Sequence, residues 1–256
     1  MDIELTFLGT GTSQGVPVIA CPCSVCVSQD YHDKRLRSSV LIRSQNTCVI
    51  IDAGPDFRYQ MLRANVNKID AILITHAHRD HVGGLDDIRA YNYVQGKAMD
   101  IYAEKTVQDE LKQDYYYAFA ENKYPGVPEM ELHTVVPYEE FRVGSISFLP
   151  IRVMHLKLPV IGFRTGRLAY VTDANFLDDK AIENLKNLDV LVLNSLRRDK
   201  HISHFSLSES LDIIKILNPK RAYLTHISHQ MGFYSELQKE LPDGVFSAYD
   251  GLCVTV

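Results

Sequence analysis

The sequence of 256 residues contains no tryptophan, and none of its apolar runs approaches the ~20 residues that a membrane-spanning helix needs. Residues 1–5 include two acids and neither a basic nor a long apolar stretch, so no secretory signal is expected. Lysine and arginine (27 residues) do not outnumber aspartate and glutamate (32 residues), and the formal net charge of −5 argues against a protein that binds nucleic acid. These absences predict a cytoplasmic protein without a membrane partner.

The remaining composition, with 46% hydrophobic and 23% charged residues, is typical of a globular protein. A chain of this length can form one large domain with two packed sheets, or two small domains. Because no Gly/Ser-rich linker divides the chain, residues 1–256 are predicted to form a single domain. Apolar runs alternate with helical patterns, which predicts an α/β fold of two similar halves that face each other. Strands are expected at residues 3–8, 39–42, 48–51, 71–75, 146–153, 168–172, 190–194 and 221–225, and helices at 56–64, 85–91, 105–118, 208–217 and 235–241.

Residues 75–84 read Thr-His-Ala-His-Arg-Asp-His-Val-Gly-Gly and follow an apolar run at residues 71–74. Histidine is the commonest metal ligand, and a carboxylate is its usual companion at a catalytic ion. Four ligands this close in sequence cannot easily surround one tetrahedral ion, so the spacing favours two adjacent ions. The alternative is an exposed polar loop that merely contains histidines, and it does not account for the buried strand before the motif. The candidate ligands of this motif are His76, His78, Asp80 and His81.

Three further candidate ligands, His155, Asp173 and His226, each follow or end a predicted strand. Each one alone is more often a capping or turn residue than a ligand. Together with the histidine-rich motif they supply the donors that a two-ion hydrolase needs, with its ions ~4 Å apart. Asp52, which follows another strand, is either a turn-forming residue before Gly54 or a residue that orients a ligand imidazole.

The motif at residues 75–84 matches the signature of the metallo-β-lactamase superfamily, which the chain resembles over nearly its whole length. The resemblance implies a four-layer αββα sandwich with a dinuclear metal site at the sheet edges. The aspartate at position 173 resembles the one that phosphodiesterase-like members carry at this place, whereas antibiotic-hydrolysing members usually carry a cysteine near it. The resemblance further implies one ion held by His76, His78 and His155, a second held by Asp80, His81 and His226, and Asp173 as the bridge between them.

Three thiols, at Cys21, Cys23 and Cys26, lie within six residues of one another. Three thiolates and one imidazole make a closed zinc site, which is structural because it leaves no coordination position open. His32 is a candidate fourth ligand by sequence distance, and His229 is the better one because it would tie this loop to a strand end that bears a catalytic ligand. The alternative is a group of free or buried thiols. The two other cysteines, at positions 48 and 253, are predicted to be small core residues.

The cysteine loop and the final pair His226 and His229 resemble the PhnP family of bacterial cyclic phosphodiesterases from carbon–phosphorus lyase pathways. This resemblance implies a phosphodiesterase for small cyclic or nucleotide-like substrates such as phosphoribosyl 1,2-cyclic phosphate. It implies two divalent ions, manganese or zinc, at the catalytic site, and one structural zinc. It also makes His204 the general acid, beside Asp80 at the metal centre. His201 is the alternative acid. The alternative role for His204 is structural, as a histidine at the start of a helix with its hydrogen bonds satisfied.

Two other functions remain open for a chain with these motifs. One is a tRNA 3′-processing endonuclease of the same superfamily, although no Gly-rich basic insertion is present. The other is a non-catalytic metal-binding protein similar to pyrroloquinoline-quinone biosynthesis protein B, many of whose members have lost ligands that are intact here. The aromatic run at residues 115–117 is expected to form part of the core, a substrate wall or the contact of a homodimer.

Overall fold

Within residues 2–256, which the computed structural model describes, the aliphatic and β-branched runs form fourteen strands in two seven-stranded sheets. In spatial order, the first sheet contains β14 (Cys253–Thr255), β1 (Glu4–Gly9), β2 (Ser39–Ser44), β3 (Thr47–Ile51), β4 (Ala71–Leu73), β5 (Met99–Ala103) and β6 (Met130–Thr134). The second contains β13 (Val245–Ser247), β12 (Arg221–Thr225), β11 (Val190–Asn194), β10 (Leu168–Val171), β9 (Leu158–Thr165), β8 (Ile146–His155) and β7 (Phe141–Val143).

Each sheet combines a parallel block with an antiparallel block. Strands β3 to β6 run parallel in the first sheet, and β10 to β13 run parallel in the second. The other neighbours, including β1 with β2 and β8 with β9, pair antiparallel. Because parallel strands end at the same edge of a sheet, each parallel block delivers the residues after its strands to one edge.

Both faces of the central strands are buried, and β3, β4 and β11 read as continuous apolar runs. In β3, Val49 and Ile51 belong to the core between the sheets, whereas Cys48 and Ile50 belong to the core beneath the helices. Large side chains from both sheets fill the central core, including Phe7, Phe148, Phe163 and Tyr170.

The helices cover the outer face of each sheet. They are α1 (Ser24–Val27), α2 (Phe57–Arg63), α3 (Arg79–Val82), α4 (Arg89–Gln95), α5 (Lys105–Asp114), α6 (Tyr116–Phe119), α7 (Asp179–Asn184), α8 (Leu207–Leu217) and α9 (Tyr234–Glu240). Short 3₁₀ turns lie at Tyr31–Asp33, Leu85–Ile88 and His229–Met231. Helices α2, α4 and α5 pack on the first sheet and α7, α8 and α9 on the second, which confirms the four-layer αββα sandwich. No helix in the described part of the chain is long and apolar enough to cross a membrane.

The structure corrects two predictions about local elements. A continuous helix over residues 105–118 is wrong, because the chain leaves helical geometry at Tyr115, whose buried hydroxyl donates to the Val82 carbonyl oxygen at 2.6 Å. The neighbouring Tyr117 hydroxyl donates to Asp86, and only Tyr116 of the aromatic run is largely exposed, at 71%. Cys253 is not a core residue, since it lies exposed on the edge strand β14.

Candidate metal centre

The histidine-rich motif begins two residues after β4 and turns directly into the short helix α3. His76 and His81 are buried, Asp80 is half-buried and His78 is exposed. Gly54 makes this arrangement possible, because a Cβ atom there would lie 2.0 Å from the Asp80 carbonyl oxygen. The motif therefore presses against the residues that follow β3.

Other strand ends bring the remaining candidates to the same edge. Asp52 follows β3, Asp173 lies two residues beyond β10, His226 follows β12, and His155 is the last residue of β8. Three of these four adopt the left-handed backbone region, with φ values of 66° at Asp52, 54° at Asp173 and 55° at His226. Such conformations cost on the order of 1–3 kcal/mol for residues other than glycine, and they concentrate at functional sites. Strain after three of these strands, β3, β10 and β12, thus marks this edge.

The first cluster of donors surrounds Asp173. Donor atoms of Asp80, His81, Asp173 and His226 all lie within 4.8 Å of one another. His81 Nε2 is 3.1 Å from both Asp80 Oδ2 and Asp173 Oδ2, and His226 Nδ1 is 3.2 Å from Asp173 Oδ2. These are the four residues expected around one ion, and they come from both sheets.

The second cluster adjoins the first through the same carboxylate. The ring centroid of His78 lies 4.6 Å from that of His76 and 5.3 Å from that of His155. Donor atoms of His155, Asp173 and His204 also lie within 4.8 Å of one another. The structure thus brings all seven predicted ligands together, with Asp173 directly beside His81 and His226 and within 4.8 Å of His155.

The protonation chemistry of these donors fits divalent cations. Burial, together with the charge on His81, lowers the pKa of His76, which keeps that imidazole neutral. Burial also opposes a charge on His81, but Asp173, Asp52 and Asp80 outweigh it and raise the pKa of that ring. Within residues 2–256, the buried His81 Nε2 has no hydrogen-bond partner of good geometry. A pocket of three carboxylates around an orphaned nitrogen calls for positive charge, which a divalent ion would supply.

Supporting hydrogen bonds hold the donors in place. His81 Nδ1 donates to Asp52 Oδ2 at 2.7 Å, which leaves Nε2 directed at Asp173, and Asp52 also accepts from Thr75 N at 2.9 Å. Thr172 Oγ1 donates to Asp173 Oδ2 at 2.7 Å. Such partners orient ligands and tune their basicity. Asp52 therefore both turns the chain and orients an imidazole.

Several supporting residues are absent from the sequence-based predictions. Ser38 Oγ lies 3.2 Å from His226 Nδ1, and Thr12 Oγ1 lies 3.4 Å from His226 Nε2. Ser38 and Thr12 are far from His226 in the sequence, and no local pattern connects them. Thr75 and Thr172 could have been found, because each directly precedes a candidate ligand.

His204 lies between the two clusters. Its ring centroid is 4.5 Å from that of His155 and 4.8 Å from that of His226, and its Nδ1 is 3.6 Å from Asp173 Oδ1. Burial and the neighbouring His226 lower the pKa of His204 to about 3. His201 is more exposed, and its Nδ1 lies 3.3 Å from the Ser203 hydroxyl. Of the two candidate acids, His204 is the one that borders the Asp173 carboxylate.

The cysteine loop forms a separate cluster. Donor atoms of Cys21, Cys23, Cys26 and His229 lie within 4.8 Å of one another, and His229 Nδ1 is 3.2 Å from Cys23 Sγ. The hydrogen bond with His229, helped by one from the Cys26 amide, lowers the pKa of Cys23 to about 6, which favours the thiolate that binds metal.

The other candidate fourth ligand, His32, lies away from the thiols. It pairs with Asp30 at 2.7 Å and stacks on Tyr234 with ring centroids 4.4 Å apart. The structure thus brings His229, and not His32, to the three thiols. His229 begins the 3₁₀ turn that follows His226, so this cluster abuts the strand end that carries a candidate catalytic ligand.

Comparisons with known proteins identify relatives of the whole chain. The family model of the beta-lactamase superfamily domain matches residues 47–227. A solved structure of a diphosphatase from the PhnP family superposes with a TM-score of 0.94 at 39% sequence identity, over 100% of this chain and 98% of that one. The superposition therefore extends over both sheets and over almost the whole of the other structure.

Two curated proteins are similar over parts of their length. An octanoyltransferase of Porphyromonas gingivalis (strain ATCC BAA-308 / W83) is 40% identical over 247 residues, which are 96% of this chain and 50% of that protein. A ribonuclease Z of Thermosynechococcus vestitus (strain NIES-2133 / IAM M-273 / BP-1) is 29% identical over 168 residues, covering 63% of this chain and 36% of that protein. The chain thus spans half the length of the first relative and about a third of the second.

Proposed function

Because the chain belongs to the metallo-β-lactamase superfamily and to its PhnP family, we propose that it is a dinuclear metal-dependent phosphodiesterase. Its substrates would be small cyclic or nucleotide-like phosphodiesters similar to phosphoribosyl 1,2-cyclic phosphate. The observation that carries this proposal is the convergence of histidine and aspartate donors on the single carboxylate of Asp173. A donor set of imidazole and carboxylate, without thiolate, suits ions such as manganese or zinc.

In this proposal different residues hold the ions and orient the ligands. His76, His78 and His155 would hold one ion, Asp80, His81 and His226 the other, and Asp173 would bridge them. Two such ions would activate water and neutralise the charge of the phosphodiester. Asp52 and Thr172 keep a ligand imidazole and the bridging carboxylate in their orientations.

His204 is the proposed proton donor to the leaving oxygen. Its position beside Asp173 supports this role, because a phosphodiester held at the ions would lie against the same ring. The low pKa of the buried ring means that His204 is neutral at rest near neutral pH. A bound phosphodiester would add negative charge beside the imidazole, which favours its protonated form in the substrate complex.

The cysteine loop is the proposed site of a third, structural ion. Zinc at Cys21, Cys23, Cys26 and His229 would be four-coordinate and closed. Free thiols in such a group are also consistent with a reducing compartment, so cytoplasmic residence stays our prediction. A homodimer is likewise a prediction. Within the aromatic run at residues 115–117, the exposed Tyr116 is the side chain that could contact a second copy.

Other activities have weaker support. The ribonuclease Z relative favours a tRNA-processing activity, but that match covers 36% of the relative, and the net charge of this chain is −5. The relative named octanoyltransferase is matched over only 50% of its length, so its name gives weak support for octanoyl transfer by this chain. The complete donor set argues against a purely non-catalytic role of the kind seen in degraded superfamily members.

The test is metal-dependent turnover of a simple phosphodiester. Purified protein, stripped with a chelator and reloaded with manganese or zinc, should hydrolyse bis(p-nitrophenyl) phosphate, and the stripped protein should not. A ribose 1,2-cyclic phosphate and a structured tRNA precursor are assayed in parallel. Cleavage of the tRNA alone would favour the nuclease, and no metal-dependent turnover of any of the three would reject the proposed hydrolase.

A further inference from the structure

Asn175 occupies a junction between three segments of the candidate site. It lies two residues beyond Asp173, and its backbone amide donates to the Met154 carbonyl oxygen at 2.8 Å. Its side-chain Oδ1 accepts from the Leu156 amide at 2.7 Å, and its Nδ2 donates to the Ile202 carbonyl oxygen at 3.0 Å. One side chain therefore ties the turn after β8 to the loop at residues 200–206.

Both partner segments carry residues of the proposed chemistry. Leu156 directly follows His155, and Ile202 stands two residues before His204. A further hydrogen bond closes the connection, because His155 Nδ1 donates to the Ser203 carbonyl oxygen at 2.7 Å. The loop at residues 200–206 is thus held at successive residues, Ile202 by Asn175 and Ser203 by His155.

The other backbone anchors of the loop lie toward its two ends. Arg197 Nη2 donates to the Lys200 carbonyl oxygen at 2.9 Å, the Leu196 amide donates to the Phe205 carbonyl oxygen at 2.9 Å, and the Phe205 amide donates to the Ala174 carbonyl oxygen at 2.8 Å. Residues 200–206 contain no helix or strand, so their position depends on separate hydrogen bonds rather than on a regular ladder. Loss of the Asn175 bond would free Ile202, two residues before His204, from the turn after β8.

An asparagine amide is suited to this junction because it donates and accepts through two different atoms of one planar group. In Asn175, Oδ1 accepts from Leu156, next to His155, and Nδ2 donates to Ile202, in the loop that carries His204. We propose that Asn175 is a positioning residue for His204, whose amide donor fixes the loop that presents the proton donor to the Asp173 carboxylate. This inference rests on the proposed phosphodiesterase function and assigns Asn175 no contact with the substrate.

The two arms of the amide can be separated by substitution. Asn175→Asp has the same shape and keeps an oxygen that accepts from Leu156 N, but it puts a second carboxylate oxygen against the Ile202 carbonyl oxygen. Asn175→Ala removes both arms. Asn184→Asp is the matched control, since Asn184 is also half-buried and its Nδ2 donates to the Lys180 carbonyl oxygen away from the candidate site.

The experiment measures hydrolysis, metal content and amide hydrogen exchange in the three variants. Asn175→Asp should keep its ions and its protection at Leu156, while residues 200–206 exchange faster. Its turnover of a diester with an alkyl leaving group should fall about tenfold, the size of effect that one lost hydrogen bond can produce. Turnover of bis(p-nitrophenyl) phosphate, whose leaving group hardly needs a proton, should change by less than about twofold.

Equal losses on both substrates, or loss of metal in Asn175→Asp, would overturn the assignment to His204. Unchanged exchange in residues 200–206 would overturn it as well. If the unsubstituted protein hydrolyses neither diester, the proposed function has failed, and the exchange measurement still decides whether Asn175 fixes this loop. Asn184→Asp should resemble the unsubstituted protein in every measurement.

Discussion

Asp173 shows how a single residue connects the chemistry of this site. Its two carboxylate oxygens lie near three imidazoles, those of His81, His226 and His204, and it accepts a hydrogen bond from Thr172. A left-handed backbone places it there, two residues beyond β10. Burial of an unpaired carboxylate is costly, so Asp173 can occupy this buried position only because histidines or bound cations surround it.

At the same scale, we predict a leaving-group dependence for His204→Ala. The variant should keep its ions, because His204 is outside the proposed ligand set, and lose roughly 10²–10⁴-fold in rate on a ribose or alkyl diester, which is the usual contribution of acid catalysis. The loss should be much smaller for bis(p-nitrophenyl) phosphate. Steady-state kinetics on both substrates check this.

The comparison with His201→Ala is the control, since His201 is the more exposed of the two histidines. Equal losses on both substrates in His204→Ala would mean that His204 binds phosphate or supports a ligand. A leaving-group effect in His201→Ala alone would transfer the role of proton donor to that residue.

His155, Asp173 and His226 could be named from the sequence because each sits where an apolar strand stops, and strand ends are visible as changes in pattern. The other four candidate ligands form one dense motif after a single strand. Asn175 and Ser38 could not be named from the sequence, because their partners lie in segments that only the packed fold brings near. Sequence left two candidates for the fourth residue of the cysteine cluster, and the three-dimensional distances distinguish His229 from His32.

At the scale of elements, the cysteine loop is the segment least able to hold itself. Its one helix, α1, has four residues, far fewer than an isolated helix needs to be stable. Its side chains form a small cluster of their own around Val16, Val25 and Cys26. Bound metal would therefore contribute directly to the folding of this loop.

We predict that Cys23→Ser loses one zinc per chain and unfolds at a lower temperature, because metal-binding energy contributes to the stability of the folded state. Elemental analysis and thermal unfolding measure the two effects. Cys253→Ser, the same chemical change at an exposed strand position, should alter neither. Unchanged zinc content in Cys23→Ser would count decisively against a structural metal in this loop.

The sequence patterns predicted eight of the fourteen strands and missed β5, β6, β7, β9, β13 and β14. Ser206 and Glu209 form a capping box at the start of α8, with both reciprocal hydrogen bonds present. Strand β9 was missed, because Pro159 and Gly162 give it the composition of a loop. Its pairing with β8 over seven residue pairs outweighs that local composition.

At the scale of the whole molecule, the candidate site belongs to neither sheet alone. The first sheet supplies His76, His78, Asp80 and His81, and the second supplies His155, Asp173 and His226. Alternating strand and helix patterns predicted two similar halves that face each other, and the family resemblance supplied the four-layer arrangement. The long-range order of strands within each sheet depends on packing that no local pattern records.

The central claim is that donors from both sheets hold two ions around Asp173. The most direct test is the metal content and hydrolytic rate of Asp173→Asn, with Asp179→Asn, an exposed position in the first turn of α7, as the control. We expect about three ions per chain in the unsubstituted protein and in the control. Asp173→Asn should keep the ion of the cysteine loop, lose metal from the dinuclear site and hydrolyse bis(p-nitrophenyl) phosphate at least about 10²-fold more slowly. Full metal content with full activity in Asp173→Asn would contradict the proposed role of Asp173.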